Sequence, residues 1–593
     1  MCGVVGYIGG RNAQPVLLNC LARLEYRGYD SCGIALDGGS LRVCKDIGKI
    51  AELAKVVPQL DGLAGIGHTR WATHGAPSRI NAHPHLDCSG TIAVVHNGII
   101  NNFQVLRRRL EAEGHSFISE TDTEVIPHLI EKYYRGSLEE AVVAALGEIK
   151  GSYAVIVLAA GESKLVVARN GSPLIIGVGD REHFIASDVP AVLDYTNRVI
   201  YLEDGDLAVV TSGGVSVTSR GAGVERKETR ILWSVEDAQK AGYEHFMLKE
   251  IHEQPKVIRD TLVNWVSVAD SVVDIAAMRR NLESMLILAC GTSYHAALIG
   301  KYVIEELLSI PVRVEIASEF NYYGQTLART AAIAITQSGE TADTLKTIRK
   351  LRAARCLVIA ITNVVGSSAS RLADHTIYTW AGPEISVAAT KSFMVQLMVL
   401  YWLVMSYSRI DPGRLAELVM DLRGLPEKVQ RVLGRGDVIS EYASYLAQHE
   451  DVFFIGRGIN FPVALEGALK LKEVSYIHAE GYAAGELKHG SFALLGSGTP
   501  VVAILARDNT YEAMLSNIKE AKARGAPVLA VAEEGDVAIR ELADFIITVP
   551  VVDAIFSPVV NTVALQLLAY YTARERGCPV DTPRNLAKSV TVE

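Results

Sequence analysis

Met285-Leu286-Ile287-Leu288-Ala289-Cys290-Gly291-Thr292-Ser293 is an apolar run that stops at a glycine turn and opens into a helical stretch. Asp451-Val452-Phe453-Phe454-Ile455-Gly456-Arg457-Gly458 repeats the pattern. Short apolar runs without alternation suit strands buried on both faces. The correspondence continues through Ala331 to Thr336 against Pro500 to Leu505, and through Cys356 to Thr362 against Ala526 to Val531. It closes with Ala373 to Ile377 against Ala543 to Ile547. Helical stretches of ordinary βαβ length separate these runs, so two copies of an α/β parallel-sheet sandwich are expected, with ligands at the carboxyl ends of the strands.

Working outward from the repeat, two turns follow strands and open helices: Gly291-Thr292-Ser293 and Thr336-Gln337-Ser338-Gly339-Glu340-Thr341. Each alone reads as an N-cap; two at equivalent places in one sheet favour a phosphate site, because backbone N–H groups and hydroxyls receive an anion there. Gly456-x-Gly458 lacks the third glycine of a dinucleotide fingerprint, which falls at Phe461. Glu466, Lys470 and Glu473 can share one helix face, either as a solvated salt-bridge stripe or as a catalytic set.

At 593 residues the chain calls for two to four domains. A formal charge of −9 argues against nucleic acid or an anionic membrane as partner. The eight cysteines are scattered without CxxC pairs, so neither a disulfide framework nor a zinc site is suggested. The N-terminus has no signal-peptide pattern, and the most apolar helical run, Met394 to Tyr407, is too short to span a bilayer; a cytoplasmic protein is expected.

The N-terminal part alternates short β-rich runs (Gly3 to Ile8, Ile92 to His96, Tyr153 to Ala159, Leu165 to Arg169, Leu174 to Val178, Phe184 to Ser187, Leu207 to Thr211) with helical stretches. The latter cover Pro15 to Leu24, Phe103 to Glu113, Val125 to Tyr134 and Leu138 to Ile149, which reads as an α+β layered domain. Polar residues concentrate on presumed connections: Leu24 to Ser31, Gly67 to Gly75, Asn81 to His85, His96 to Gly98 and Ser119 to Glu124. His83-x-His85 invites a metal reading, but no thiolate or carboxylate pair stands at ligand spacing beside it. Asn97-Gly98 reads as a hairpin turn or as a pair of oxyanion donors. Cys2 carries the sharpest chemistry, since removal of Met1 gives one residue both a thiol and an α-amine that titrates near neutrality.

Taken together, Cys2-Gly3-Val4-Val5-Gly6, the YRGYDS, GHTRWATHG and SETDTE loops and HNGII at His96 to Ile100 resemble the class II, N-terminal-nucleophile glutamine amidotransferases. The resemblance implies an αββα layered domain. It makes Cys2 the nucleophile with its own α-amine as base, and Asn97 and Gly98 the oxyanion hole. It further implies that Arg70 binds the glutamine carboxylate and Asp122 its ammonium, that Thr73 and His74 line the site, that Arg27 shapes the pocket and that Trp71 gates ammonia. Cys32 stands where that family usually has alanine.

From Ser212 to His245 the sequence turns polar, placing a boundary near residue 240, and Gly242 to Glu250 leads into a helix. Beyond it, the repeat, the TQSGETADT and KLKEVSYIHAEGYAAGELKHG segments and the tail Pro583 to Glu593 resemble the paired sugar isomerase (SIS) domains of the glutamine–fructose-6-phosphate aminotransferase family. This implies a glutaminase domain over 1–240, a linker helix and first flavodoxin-like SIS domain over 241–440, and a second SIS domain with a catalytic tail over 441–593. The implied activity moves the amide nitrogen of L-glutamine to D-fructose 6-phosphate without metal or cofactor. By the same resemblance Lys588 forms a Schiff base with the ketose, Glu473 moves a proton between carbons 1 and 2, and His489 assists ring opening. His489 would come from a neighbouring subunit, so a homodimer is implied. Thr292, Ser293, Thr336, Gln337, Ser338, Thr341, Lys470 and backbone near Val387 and Ala587 would hold the sugar phosphate. Ser386 and Ala389 depart from the usual Gly and Ser, which opens a related amidotransferase on another phosphosugar as a rival. A non-catalytic sugar-phosphate sensor is a second rival, opposed by the joint presence of Cys2, Glu473, His489 and Lys588.

Overall fold

A computed structural model describes residues 2–72, 74–231, 239–268, 284–325, 330–408 and 410–591. The chain forms two compact units, Met1–Ala238 with Ala587–Glu593, and Gln239–Leu586.

The first unit contains two antiparallel sheets. One has the order Glu228–Arg230, Arg198–Tyr201, Ile175–Val178, His183–Ala186, Gly3–Ile8, Ala64–Arg70, Ser31–Asp37, Leu41–Ile47. The other runs Ala222–Val224, Gly214–Ser219, Asp206–Thr211, Leu165–Asn170, Gly151–Ala159, Ile92–Ile100, His85–Leu86. The strand Gly151–Ala159 shows how its sequence fixes the layering. Ala154, Ile156 and Leu158 meet Val4, Ile8 and Ile66 between the sheets. Val155 and Val157, pointing the opposite way by the two-residue period, meet Leu106, Leu110, Leu129 and Val142 of the helices Phe103–Ala112, Val125–Tyr133 and Leu138–Glu148. Helix Ala13–Ala22 packs on Gly3–Ile8 and Ala64–Arg70 and completes an αββα order. Each fully buried Leu or Val contributes about 1.5–3 kcal/mol.

Three expectations need correction. Gly67 to Arg70 is not loop but the end of the buried strand Ala64–Arg70, where glycines and polar residues sit between neighbouring strands. Asn97-Gly98 is not a hairpin turn; it lies inside the strand Ile92–Ile100, paired with Ala154 and Tyr153. The polar stretch after Ser212 is not only linker, since it supplies the strands Gly214–Ser219, Ala222–Val224 and Glu228–Arg230.

The second unit carries the repeat as two five-stranded parallel sheets. Their orders are Val312–Ile316, Ser284–Ala289, Thr330–Thr336, Leu357–Thr362, His375–Tyr378 and His478–Ala483, Asp451–Gly456, Val501–Ile504, Val528–Glu533, Phe545–Val549. Each reads 2-1-3-4-5, the flavodoxin-like order. The edge strands Val312–Ile316 and His478–Ala483 escape the sequence comparison because they are partly exposed and lack a continuous apolar run. Both faces of the central strands are covered: Met285, Ile287 and Ala289 join one core while Leu286 and Leu288 join another. The first of these cores also takes in Phe454, Val502 and Leu529, so both sheets share one helical interior. Ala554–Glu575 is long and apolar enough to cross a membrane, yet 89% of its apolar window is buried in that interior, as are Met394 to Tyr401 and Leu403 to Met405 within the helix Lys391–Tyr407.

Candidate active site

Cys2 directly precedes the strand Gly3–Ile8, whose register sets Gly3 opposite Thr69 and brings the thiol to the end of Ala64–Arg70. There the backbone N–H of Trp71 donates to Cys2 Sγ at 3.2 Å. Burial pushes the thiol pKa up, while the Trp71 N–H and the Arg70 charge pull it down. A thiol held in its protonated form needs a base beside it before it can attack.

The orientation of Asn97 follows from a chain of hydrogen bonds. His68 Nε2 lies 3.1 Å from the His96 carbonyl and 3.2 Å from Asn97 Oδ1. A carbonyl only accepts, so Nε2 carries the proton and Asn97 Oδ1 faces it as an acceptor. Asn97 Nδ2 then donates one N–H to the Cys2 carbonyl at 2.8 Å and retains a second. Burial and the Arg70 charge press the His68 pKa down to about 3, so the ring stays neutral. Next in the strand, Gly98 has φ +137°, and a Cβ there would lie 2.0 Å from the Ser152 carbonyl oxygen. Only glycine fits that approach.

Arg70 ends its strand with Nη2 donating to the carbonyls of His74 and Gly75, while Nη1 is buried without a partner. Burial lowers its pKa, against the attraction of Cys2, Asp30 and Asp122. A guanidinium with one nitrogen pinned and another unpaired suits a carboxylate. Asp122 Oδ2 accepts from Ile100 N at 2.8 Å, latching its loop to the strand that holds Asn97 and Gly98. Asp30 Oδ2 receives Ala72 N at 2.8 Å and fixes the chain after Trp71. His74 Nδ1 is buried and unpaired, its ring edge-on to Phe103. Arg27 is ion-paired to Asp188 at 2.6 Å, and Tyr26 donates to the same oxygen. Thr73 lies outside the described residues. Sequence reasoning passed over His68, Asp30 and Ser152; the first two stood in quoted motifs, but a loop reading gave no reason to pair them.

In the second unit the two phosphate-type turns follow Ser284–Ala289 and Thr330–Thr336, the adjacent strands where the sheet order reverses. That switch point is where such sheets bind ligands. Thr336 Oγ1 and Thr341 Oγ1 are 3.1 Å apart, Gly339 N donates to Thr336 Oγ1 and Glu340 N to Ser338 Oγ, which closes the Gln337 loop into a compact cradle. Gly339 has φ +68° with Ser367 Oγ 2.1 Å from the place of a Cβ. Ser293 Oγ instead accepts from the buried Gln396 amide at 3.0 Å, and Val387 N donates to the Asp581 carbonyl at 3.1 Å.

Thr292 is tied to the helix Phe461–Ser475. Its hydroxyl donates to Glu466 Oε1 at 3.1 Å; Glu466 Oε1 lies 3.6 Å from Lys470 Nζ, and Lys470 Nζ lies 2.5 Å from Glu473 Oε2. Lys470 is 1% exposed and Glu466 0%, while the Glu473 side chain is 21% exposed, so two of the three are buried and only Glu473 reaches toward solvent, against the reading of a solvated stripe. Burial alone would strip Lys470 of its proton; Glu473 and Glu466 instead hold its pKa above the ordinary lysine value. His295, absent from the sequence reading, shares Glu466 at 2.7 Å. His489 stands exposed at the end of the turn Ala484–His489. Ala587 and Lys588 fall in the segment grouped with the first unit, while Glu473 and His489 belong to the second.

Comparison with known proteins follows the same division. Residues 68–194 match the glutamine amidotransferase domain, and residues 280–406 and 445–576 each match the SIS domain. The chain is 52% identical to the glutamine–fructose-6-phosphate aminotransferase (isomerizing) of Methanothermobacter thermautotrophicus and 49% to that of Caldanaerobacter subterraneus, over all of both chains in each case. Among solved structures, the C-terminal domain of glucosamine-fructose-6-phosphate aminotransferase from Francisella tularensis matches with a TM-score of 0.55 and 37% identity, covering 58% of this chain and all of that one.

Proposed function

The chain belongs to the glutamine–fructose-6-phosphate aminotransferase (isomerizing) family, and from that premise we propose how its residues divide the work. The reaction transfers the amide nitrogen of L-glutamine to D-fructose 6-phosphate with ketose-to-aldose isomerisation, giving D-glucosamine 6-phosphate and L-glutamate. Cys2 Sγ attacks the glutamine amide carbon after its proton passes to the Cys2 α-amine, which is free once Met1 is removed. The tetrahedral oxyanion takes the spare N–H of Asn97 and the N–H of Gly98. Its collapse expels ammonia, and water cleaves the thioester to glutamate. Arg70 holds the substrate carboxylate and Asp122 its ammonium, with Arg27, Trp71, Thr73 and His74 closing the pocket. The observation that carries this half is the hydrogen-bond chain from His68 through Asn97 to the Cys2 carbonyl, which fixes an amide on the residue that bears the thiol.

On the sugar side, His489 assists ring opening and Lys588 adds to the ketose carbonyl, releasing water. Ammonia then displaces the lysine, and Glu473 carries a proton from carbon 1 to carbon 2. Lys470, charged and buried against Glu473, keeps that carboxylate poised; Thr292, Ser293, Thr336, Gln337, Ser338, Thr341, Val387 and Ala587 surround the phosphate and hydroxyls. This reading takes 1–240 as the glutaminase domain, 241–440 and 441–593 as the two SIS domains, and a cytoplasmic homodimer as the working form. Ammonia kept from bulk water stays unprotonated and nucleophilic.

The test is incubation with amide-nitrogen-15 glutamine and fructose 6-phosphate, followed by mass spectrometry of the sugar. Labelled hexosamine phosphate is expected. Labelled ammonia with unaltered sugar would refute the proposed sugar half, and a panel of other ketose phosphates would then show whether Ser386 and Ala389 have changed the substrate.

A further inference from the structure

Away from the residues assigned to glutamine, four side chains of ligand type converge in the first unit. Cys88 lies on the turn between His85–Leu86 and Ile92–Ile100, His115 follows the helix Phe103–Ala112, and His128 and Glu131 stand one turn apart on Val125–Tyr133. Their ligand atoms all lie within 4.8 Å of one another. Cys88 Sγ is 3.6 Å from His115 Nδ1 and 3.4 Å from His128 Nδ1. Glu131 Oε2 is 3.0 Å from His115 Nδ1 and 3.6 Å from His128 Nδ1. A tetrahedral zinc ion with nitrogen, oxygen and sulfur ligands spaces those atoms about 3.3–3.6 Å apart, which three of these separations meet; His115 and Glu131, at hydrogen-bond distance here, would part by a few tenths of an ångström. We propose that Cys88, His115, His128 and Glu131 form a structural zinc site.

The surroundings support the assignment independently of these spacings. Glu124, 2% exposed, receives the Ile118 and Ser119 N–H groups and the Ser119 hydroxyl. Its Oε1 lies 3.8 Å from His128 Nε2, a buried nitrogen with no hydrogen-bond partner. A ring proton on Nε2, facing that carboxylate, leaves the Nδ1 lone pair directed at Cys88 and Glu131. Closing that gap to a hydrogen bond would give the carboxylate–histidine–zinc arrangement of metal centres. Without a cation, the Cys88 thiol can donate to His128 Nδ1 and the His115 Nδ1–H to Glu131 Oε2, and zinc would take the place of those two protons. The backbone N–H groups of Ser116 and Cys88 point to Cys88 Sγ at 3.4 Å and to Glu131 Oε2 at 3.2 Å, as supports for charged ligands.

One Cys, two His and one Glu are a zinc set, and four protein ligands leave no open position for chemistry. Binding would release the thiol proton to solvent. The ligands flank the segment from Ser119 to Glu124 on both sides and pin it to the Cys88 turn. Zinc there would hold in place the loop that carries Asp122.

The full-length protein, purified after growth with added zinc and dialysed, is expected to hold about one zinc per chain by elemental analysis. Replacement with cobalt(II) should give the thiolate charge-transfer band and the strong visible bands of a tetrahedral ion, with the former lost in Cys88→Ser. Glu124→Gln keeps all four ligands and should weaken zinc binding in chelator competition about 10–100-fold. That variant and the wild-type cobalt spectrum decide the matter even where Cys88→Ser fails to fold. Folded protein that takes up no metal, or that binds zinc with unchanged affinity in Glu124→Gln and an unchanged cobalt spectrum in Cys88→Ser, overturns the site.

Discussion

Replacing His68 by alanine tests whether Asn97, the proposed oxyanion donor, is positioned by its neighbour. The substitution removes the N–H shared by the His96 carbonyl and Asn97 Oδ1, at 3.1 and 3.2 Å. Each buried acceptor left unpaired costs about 1–3 kcal/mol of stability, so a fall in Tm accompanies the change. For catalysis, the upper bound is complete loss of an oxyanion donor, about 10²–10³-fold in kcat. The lower bound is one net hydrogen bond of about 1 kcal/mol, roughly fivefold. We expect about 10–100-fold, with KM for glutamine little changed because the proposed carboxylate and ammonium partners, Arg70 and Asp122, are left in place. The assay is glutamate release at saturating glutamine. On the reading that His68 serves catalysis through Asn97, the double variant with Asn97→Ala should be no slower than Asn97→Ala alone. Independent, multiplicative losses in the double variant, or wild-type kcat in folded His68→Ala, would refute the reasoning. The defect should also be constant between pH 6 and 8, since the ring, with its pKa near 3, carries no charge there.

Cys2→Ala should abolish glutamine use while calorimetry still records sugar-phosphate binding; joint loss of both would contradict two separate sites. Gly98→Ala, with its Cβ 2.0 Å from the Ser152 oxygen at φ +137°, should cost about 1–3 kcal/mol and most glutaminase activity; an unchanged melting curve would falsify the steric account. Gly339→Ala, blocked by Ser367 Oγ, should raise KM for fructose 6-phosphate and leave glutamine hydrolysis alone, as initial rates in each substrate would report. Burial lowers the pKa values of His68, His83, His85 and His96, so the unfolded chain binds more protons below its histidine pKa of about 6.5. Stability is then complete above that pH and falls as acid is added, by about 1.4 kcal/mol per pH unit for each histidine involved; denaturant titrations between pH 7 and 4 should show the slope, and a flat profile would count against it.

The parallel repeat was readable because doubly covered strands require unbroken apolar runs, and Ser284–Ala289 and Asp451–Gly456 fall on the quoted stretches. Gly3–Ile8 was equally plain. The edge strands Val312–Ile316 and His478–Ala483 were not, since half-exposed edges carry polar residues that resemble loop. Around the nucleophile, motif residues were legible but their backbone was not. His68, Thr69 and Arg70 look like loop by composition, yet a strand flanked by glycines can carry them where neighbouring strands supply the burial. Asn97-Gly98 carries a turn signal locally, and only pairing with the strand Gly151–Ala159 shows that the glycine answers to the Ser152 carbonyl. Cysteine spacing could not bring out the group around Cys88 for a similar reason. Its neighbours are histidines and a glutamate brought in from two later segments.

The interior shared by the two parallel sheets has a practical consequence for anyone dividing this polypeptide. Helices from each repeat close the other's apolar surface, with Phe454 and Val502 in the same packed mass as Ile287 and Met394. A fragment cut between the repeats would therefore display a broad greasy face to solvent and be prone to self-association. The sequence repeats a unit, but the module that can be expressed, shuffled or fused as a piece is the pair.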